Sequence, residues 1–229
     1  MDGLRIGSLV LNGPLVSYLL FGAAGWLALR FRLRSAPERE WILSCASNAF
    51  WLWLIVWKAS YLLVHPVEAV RQPVSLLYFD GGERGRWLAA LAAAGYSALK
   101  VRKHRMPYKT AFGHFAAFAF AGWSAREILL VSAGEEPALF HAASAGFTAV
   151  LLASLWFSSR KTGATTGVVH AVWFSLGHAL LWFLVPDRPV WLLAFGKQQL
   201  LFLLAAAALT GWAWLDGKRN RGGFRADET

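Results

Sequence analysis

Residues 57–87, WKASYLLVHPVEAVRQPVSLLYFDGGERGRW, decide how the rest of the chain is read. The stretch begins inside an apolar run that carries Lys58. It leaves that run through His65-Pro66 and crosses a short segment with an apolar patch from Leu76 to Phe79. Asp80-Gly81-Gly82 and the charges Glu83, Arg84 and Arg86 then lead straight into the next apolar run at Trp87. That run lasts only through Leu99, about 20 Å at 1.5 Å per residue, against a hydrocarbon core of about 30 Å. Lys100, Arg102 and Lys103 hold its far end at the membrane surface, so the shortfall lands on the Gly-Gly turn and its charges. Irregular backbone at that depth survives only against protein or a water-filled cavity. The sequence predicts a re-entrant turn lining a polar cavity, against the simpler alternative of a locally thinned bilayer with snorkelling arginines.

Outward from this stretch, composition sets the class. Of 229 residues, 57% are hydrophobic and 16% charged, with 13 Trp and 16 Phe; a soluble domain carries about a quarter charged residues. The charges cluster between seven apolar runs, at about 9–29, 41–64, 87–99, 111–131, 137–157, 167–185 and 189–215. The expectation is an all-α polytopic membrane protein. It is one integral membrane domain over 1–229, with seven transmembrane helices, a short third helix and a basic tail at 216–229. The first run has no basic lead-in and is followed by arginines, so no cleavable signal is expected.

The loops after the first, third and fifth runs and the tail hold most of the basic residues: Arg30, Arg32, Arg34, Arg39; Lys100, Arg102, Lys103, Arg105, Lys109; Arg160, Lys161; Lys218, Arg219, Arg221, Arg225. The opposite side has Arg5, Arg71, Arg84, Arg86 and Arg188. This bias places the N-terminus outside and the C-terminus in the cytoplasm. The net charge of +10 is then a signature of orientation. No basic stripe lies on a soluble element, so no nucleic-acid partner is expected. A single cysteine, Cys45 in an apolar run, excludes an internal disulfide and most zinc or redox motifs.

Several polar residues fall at one level in this scheme. Lys58 lies eight residues before Pro66, Arg126 eight before Gly134, His178 eight before Pro186, and Lys197 eight after Pro189. Each is thus about 12 Å along its expected helix from the outer end, with Tyr18 at a similar depth and Gln198 and Gln199 beside Lys197. Isolated charges in a bilayer mark functional sites by default, and basic residues at one level suit an anionic headgroup. The bland alternative is a set of snorkelling side chains and internal pairs such as Arg126 with Glu127 or Asp80. Two histidines at matched depth, His114 and His170, raise haem or metal binding as a third reading, without an HxxxH pattern to support it. There is no GxSxG and no Walker loop. No cofactor is expected.

In its order of features the chain resembles the prolipoprotein diacylglyceryl transferase family. These bacterial inner-membrane enzymes move a diacylglyceryl group from phosphatidylglycerol to the lipobox cysteine of a lipoprotein precursor. WKASYLLVHP is similar to the family's R-x-G-Y segment, with Lys58 where the arginine stands and Tyr61 kept. PVSLLYFDGG resembles the approach to its Gly-Gly turn, VRKHRMPY its basic loop, and PDRP with FGKQQLLFL its closing segment. The departures lie at the chemistry. The turn reads GGERGRW rather than continuing to a histidine, so Arg86 stands about where the catalytic histidine would. Of the G-R-x-G-N-F signature, GWSAREIL keeps only Arg126.

The resemblance implies a divergent, multi-pass protein of the bacterial inner membrane. Phosphatidylglycerol would be held by Lys58, Arg86, Arg126 and Lys197, supported by Tyr18, Tyr61, Asp80, Gly81, Gly82 and Gln198. Catalytic duty would fall to Arg86 with Glu83, Asp80 or His178 as the replacement base. The partner would be a lipoprotein precursor. The alternative on the same scaffold is an inactive protein that binds lipid or another membrane protein.

Overall fold

The computed structural model describes residues 4–6, 9–11, 13–64, 81–158, 166–186 and 188–226. A short antiparallel hairpin comes first, β1 (Leu4–Ile6) against β2 (Leu9–Leu11), with Leu4 opposite Leu11. Among the described residues, seven helices follow: α1 (Gly13–Arg32), α2 (Arg39–Val64), α3 (Gly82–Lys103), α4 (Tyr108–Ser132), α5 (Ala138–Ser158), α6 (Thr166–Leu181) extended by a 3-10 turn at Trp182–Leu184, and α7 (Lys197–Ala226). Six of them, all but α3, are long and apolar enough to cross a membrane. The architecture is that of a multi-pass membrane protein. Large apolar side chains on the helix surfaces, such as Leu91, Leu99 and Phe157, are what a lipid-facing surface requires.

Three boundaries differ from the sequence expectation, each for a local reason. The first helix begins at Gly13 rather than at residue 9, because residues 9–11 are held in the hairpin. Pro14 then sits in the first turn, where its missing N–H leaves no bond unmade.

The third helix has 22 residues rather than 13, about 33 Å, and is not short. Gly81 is its N-cap and Gly82, at φ 60°, its first residue. Glu83, Arg84 and Arg86 therefore ride on regular helix and not on an irregular turn. Its apolar part still ends at Trp87 and Leu99, and charges occupy both ends. Residues 65–80, with the remainder of the expected re-entrant segment and Asp80, lie outside the described residues.

The last helix begins at Lys197, not at residue 189. A tight bend precedes it, in which the Trp191 N–H donates to the Phe195 carbonyl at 2.8 Å, with Leu193 and Ala194 at positive φ.

The helices pack as two compact units, Met1–Tyr108 and Lys109–Thr229. In the first, the end of α2 and the start of α3 press together most closely. Gly81, Gly85 and Ala89 repeat every four residues along one face of α3. A β-carbon at Gly81 or Gly85 would collide with Ser60 Oγ, and Ala89 is fully buried against Leu54 and Trp57. The Gly81 N–H donates to the Trp57 carbonyl at 3.3 Å. In the second unit, Ala116, Ala117 and Phe120 of α4 pack on Leu151 and Leu155 of α5 and on Phe174 of α6. Small residues at such contacts let backbones approach, the usual source of helix association where lipid supplies no hydrophobic drive.

Candidate functional site

In the first unit the helix-packing pattern above brings several expected residues into one aromatic cluster. The Tyr18 ring from α1 lies 5.0 Å from Trp57 and 4.8 Å from Trp53 of α2. Arg86 of α3 reaches back, and its Nη1–H donates to Tyr18 Oη at 3.3 Å. Lys58 places its Nζ over the Trp57 ring, 5.3 Å from the centroid, a cation–π contact. Tyr61, one turn further along α2, is buried. Two cations of the expected set thus converge on Trp57, each through an aromatic side chain.

Trp57 itself carries the polar feature that the sequence did not reveal. It is 2% exposed, and among the described residues its buried Nε1–H has no acceptor. Native interiors rarely leave such a donor unmade, and this one belongs to a ring that Lys58 overlies and that packs on the tyrosine bonded to Arg86. Glu83 lies in the first turn of α3 and is exposed.

In the second unit, polar residues of α4, α5 and α6 form a ladder. Glu127 of α4, 1% exposed, accepts from Arg126 Nη1 at 2.7 Å through one oxygen and meets His141 Nδ1 at 2.5 Å through the other. One turn along the helices, the Trp123 Nε1–H donates to Ser144 Oγ at 3.0 Å, and Ser144 lies 3.0 Å from His178 Nε2. His178 Nδ1–H is engaged by the Phe174 carbonyl at 3.0 Å, so Nε2 is the acceptor and Ser144 the donor. The Ser124 hydroxyl donates to the Ala145 carbonyl at 3.1 Å. His178 is 1% exposed and enclosed by the rings of Trp123, Phe147, Phe174 and Phe202. Both its nitrogens are used inside the protein.

At the start of α7, the expected depth of Lys197 is corrected: it is the first residue of the helix and is exposed. Gln198 lines a cavity of about 150 Å³ together with Trp182, Arg188 and Gln199. Its neighbour Gln199, 1% exposed, does the structural work. Gln199 Oε1 accepts the Gly196 N–H at 2.8 Å, and Nε2 donates to the Ala179 carbonyl of α6 at 3.0 Å. The first bond is the reaching-back half of a capping box; the second ties α7 to α6.

The haem reading loses one of its two histidines. His170 Nδ1 lies 2.7 Å from the Thr166 carbonyl and Nε2 lies 3.0 Å from Ser154 Oγ, which leaves neither nitrogen for iron. Among the described residues, no group of three or more His, Cys, Asp or Glu is placed to hold a metal ion.

The expected polar layer is thus divided. Tyr18, Lys58, Tyr61, Gly81, Gly82 and Arg86 belong to the first unit, and Arg126, His178, Lys197 and Gln198 to the second. Glu127, His141, Ser144 and Trp123 were not singled out from the sequence as site residues. Their signal was spacing: Ser124 and Glu127 are three apart, as are His141 and Ser144, which gives two adjacent helices one polar face each. No protein-family model matches the chain, and neither a curated protein nor a solved structure matches it.

Proposed function

We propose that this chain is a divergent diacylglyceryl-transferase-like protein of the bacterial inner membrane, with its N-terminus outside. In this reading Lys58 and Arg86 hold the phosphate of phosphatidylglycerol, and the diacylglyceryl group passes to a lipoprotein cysteine. The family part rests on the sequence resemblance, and the orientation on the distribution of lysine and arginine. The headgroup part is carried by one observation: among the described residues the buried Trp57 Nε1–H has no acceptor, in a cluster that also holds Arg86, through Tyr18, and Lys58. A phosphate oxygen would satisfy that donor in a cluster that carries positive charge. Arg126 is bonded to Glu127 and Lys197 opens α7, so headgroup binding is assigned to the first unit.

Native mass spectrometry of the protein purified from mixed phosphatidylglycerol and phosphatidylethanolamine membranes tests this. Lys58→Gln and Arg86→Gln should each lower the ratio of bound phosphatidylglycerol to phosphatidylethanolamine. Trp57→Phe should lower it about tenfold or more, as a hydrogen bond to a charged group contributes about 1.5–3 kcal/mol. An unchanged ratio in the Lys58→Gln/Arg86→Gln double variant would sink the headgroup assignment.

A second reading, lipid binding without turnover, is favoured by Glu83 lying exposed on α3 and by the sealed position of His178. Incubation with phosphatidylglycerol and a lipobox peptide separates the two: a diacylglyceryl adduct on the peptide requires the first.

A further inference from the structure

The end of α6 and the start of α7 enclose the cavity of about 150 Å³ that the headgroup reading leaves unused. It is roughly ten times the ~15 Å³ that admits a single water. Trp182, Arg188, Gly196 and Gln199 line it, all from the second unit. Two of these residues carry buried donors with nothing to donate to. Among the described residues, Trp182 Nε1 and Arg188 Nε have no hydrogen-bond partner, whereas the Gln199 amide engages Gly196 and Ala179. Native structures seldom leave such donors unmatched, and each asks for an acceptor.

Neighbouring groups hold both side chains in place. The Trp182 ring stacks on Phe140 of α5 at 4.9 Å and 15°. The Arg188 guanidinium lies 4.4 Å from the centre of the Phe183 ring, and its Nη1–H donates to the Phe183 carbonyl at 3.4 Å. Among the described residues no carboxylate pairs with Arg188; Asp187 lies outside them. A guanidinium without a carboxylate and an indole N–H around one cavity select an acceptor that carries negative charge. The guanidinium fork suits an oxyanion above all.

The chain beyond Arg188 points to the source of that anion. The helices on either side of the link are long and apolar enough to cross a membrane, so the link lies at a membrane surface. Its residues Val190, Trp191, Leu192 and Leu193 are all exposed, Trp191 at 77% and Leu193 at 85%. A bend closed by the Trp191 N–H on the Phe195 carbonyl presents them. Four consecutive apolar side chains are unfavourable in water; at a membrane surface they enter the acyl region, with tryptophan at the headgroup level where it is enriched. Arg188 and Lys197 bracket them in the sequence. A phospholipid has the matching order, a phosphate above apolar chains.

We infer that this corner binds a membrane phospholipid through its phosphate, with Trp182 Nε1–H and Arg188 as donors and the 190–193 loop against its chains. The donors meet the phosphodiester, which every glycerophospholipid shares, so the site does not choose between headgroups. It is built from the second unit alone and does not rest on the first-unit reading, which turns on selectivity for phosphatidylglycerol.

The test places the full-length protein in nanodiscs of phosphatidylglycerol, phosphatidylethanolamine and a phosphate-free galactosyl diacylglycerol. Lipid is then stripped stepwise with detergent, and what stays bound is counted by native mass spectrometry. The unaltered protein should retain a phospholipid of either headgroup in preference to the galactolipid. Arg188→Gln and Trp182→Phe should each lower that occupancy about tenfold, as loss of a hydrogen bond to a charged group does; Trp182→Phe keeps a ring against Phe140. The ratio of phosphatidylglycerol to phosphatidylethanolamine should stay as it is in both variants, whereas the first-unit reading is judged by that ratio in the Lys58 and Arg86 variants. An unchanged phospholipid count in the Trp182→Phe/Arg188→Gln double variant overturns the site. Equal retention of galactolipid and phospholipid by the unaltered protein, which needs no variant to fold, overturns the phosphate contact. If millimolar inorganic phosphate displaces the retained phospholipid and itself stays bound, the ligand is a soluble anion and the lipid assignment falls.

Discussion

Replacing Ser144 by alanine tests the ladder that joins α4, α5 and α6. The side chain is fully buried, and alanine fits its space, so the change removes one oxygen and two interhelical hydrogen bonds without introducing a clash. The Trp123 Nε1–H loses its acceptor and His178 Nε2 its donor, each from a 3.0 Å contact. Interhelical hydrogen bonds in membrane proteins average about 0.6 kcal/mol and reach about 1.7. Two of them give about 1–3 kcal/mol, with the upper half of that range favoured because His178 stays sealed from water.

The assay is reversible unfolding in mixed micelles, followed by circular dichroism. Ser144→Ala is combined with Trp123→Phe in a double-mutant cycle, since residues in one network couple by about 0.5–3 kcal/mol. Thr148→Val is the control: among the described residues the Thr148 hydroxyl bonds only to the Ser144 and Ala145 carbonyls of its own helix, and its loss should cost less. A Ser144→Ala loss of about 0.3 kcal/mol or below would refute the reasoning, since even the average membrane hydrogen bond exceeds that. So would additivity with Trp123→Phe.

Two further outcomes follow from packing. Gly85→Ala should destabilise by about 1–3 kcal/mol, the usual effect of overpacking, because its β-carbon meets Ser60 Oγ; Ser60→Gly should restore at least half of the loss, and thermal unfolding of the pair checks it. Gln199→Ala should cost about 1–3 kcal/mol, as two bonded groups lose their partner in a buried setting, whereas Gln198→Ala should stay within about 0.5 kcal/mol. Equal effects of the two glutamine changes would contradict the capping geometry.

Among the described residues, each of the seven expected apolar runs overlaps one helix, because charge between the runs leaves few alternatives. The helix ends were not legible, and each miss has a physical cause. Glu83, Arg84 and Arg86 suggested a loop because charge was weighed against burial alone. Glu83 in a first turn, with Lys100, Arg102 and Lys103 in the last, is also the charge order a helix dipole favours. Read that way, α3 extends to Gly82. The apolar residues 189–196 passed for helix, although Gly196 followed by Gln199 carries the spacing of a capping interaction. That one shift moved Lys197 from mid-helix to a helix start. The Glu127–His141 pair was harder to read, since the partners are fourteen residues apart on separate helices. Only a short connection at residues 133–137 brings α4 and α5 alongside.

Depth alone ranked the polar residues of this chain by how far each lay from an expected helix end. Satisfaction ranks them differently. His178 and Gln199 are as buried as a membrane interior allows, yet every polar atom their bonds use is matched within the protein. Such groups hold helices together and lose their meaning as ligand sites. The Trp57 Nε1–H is the reverse, a buried donor that among the described residues has no acceptor. In a medium that offers few hydrogen-bonding partners, an unmatched group next to charge has little reason to persist unless something else matches it. The headgroup reading proposed for this protein therefore follows the Trp57 donor.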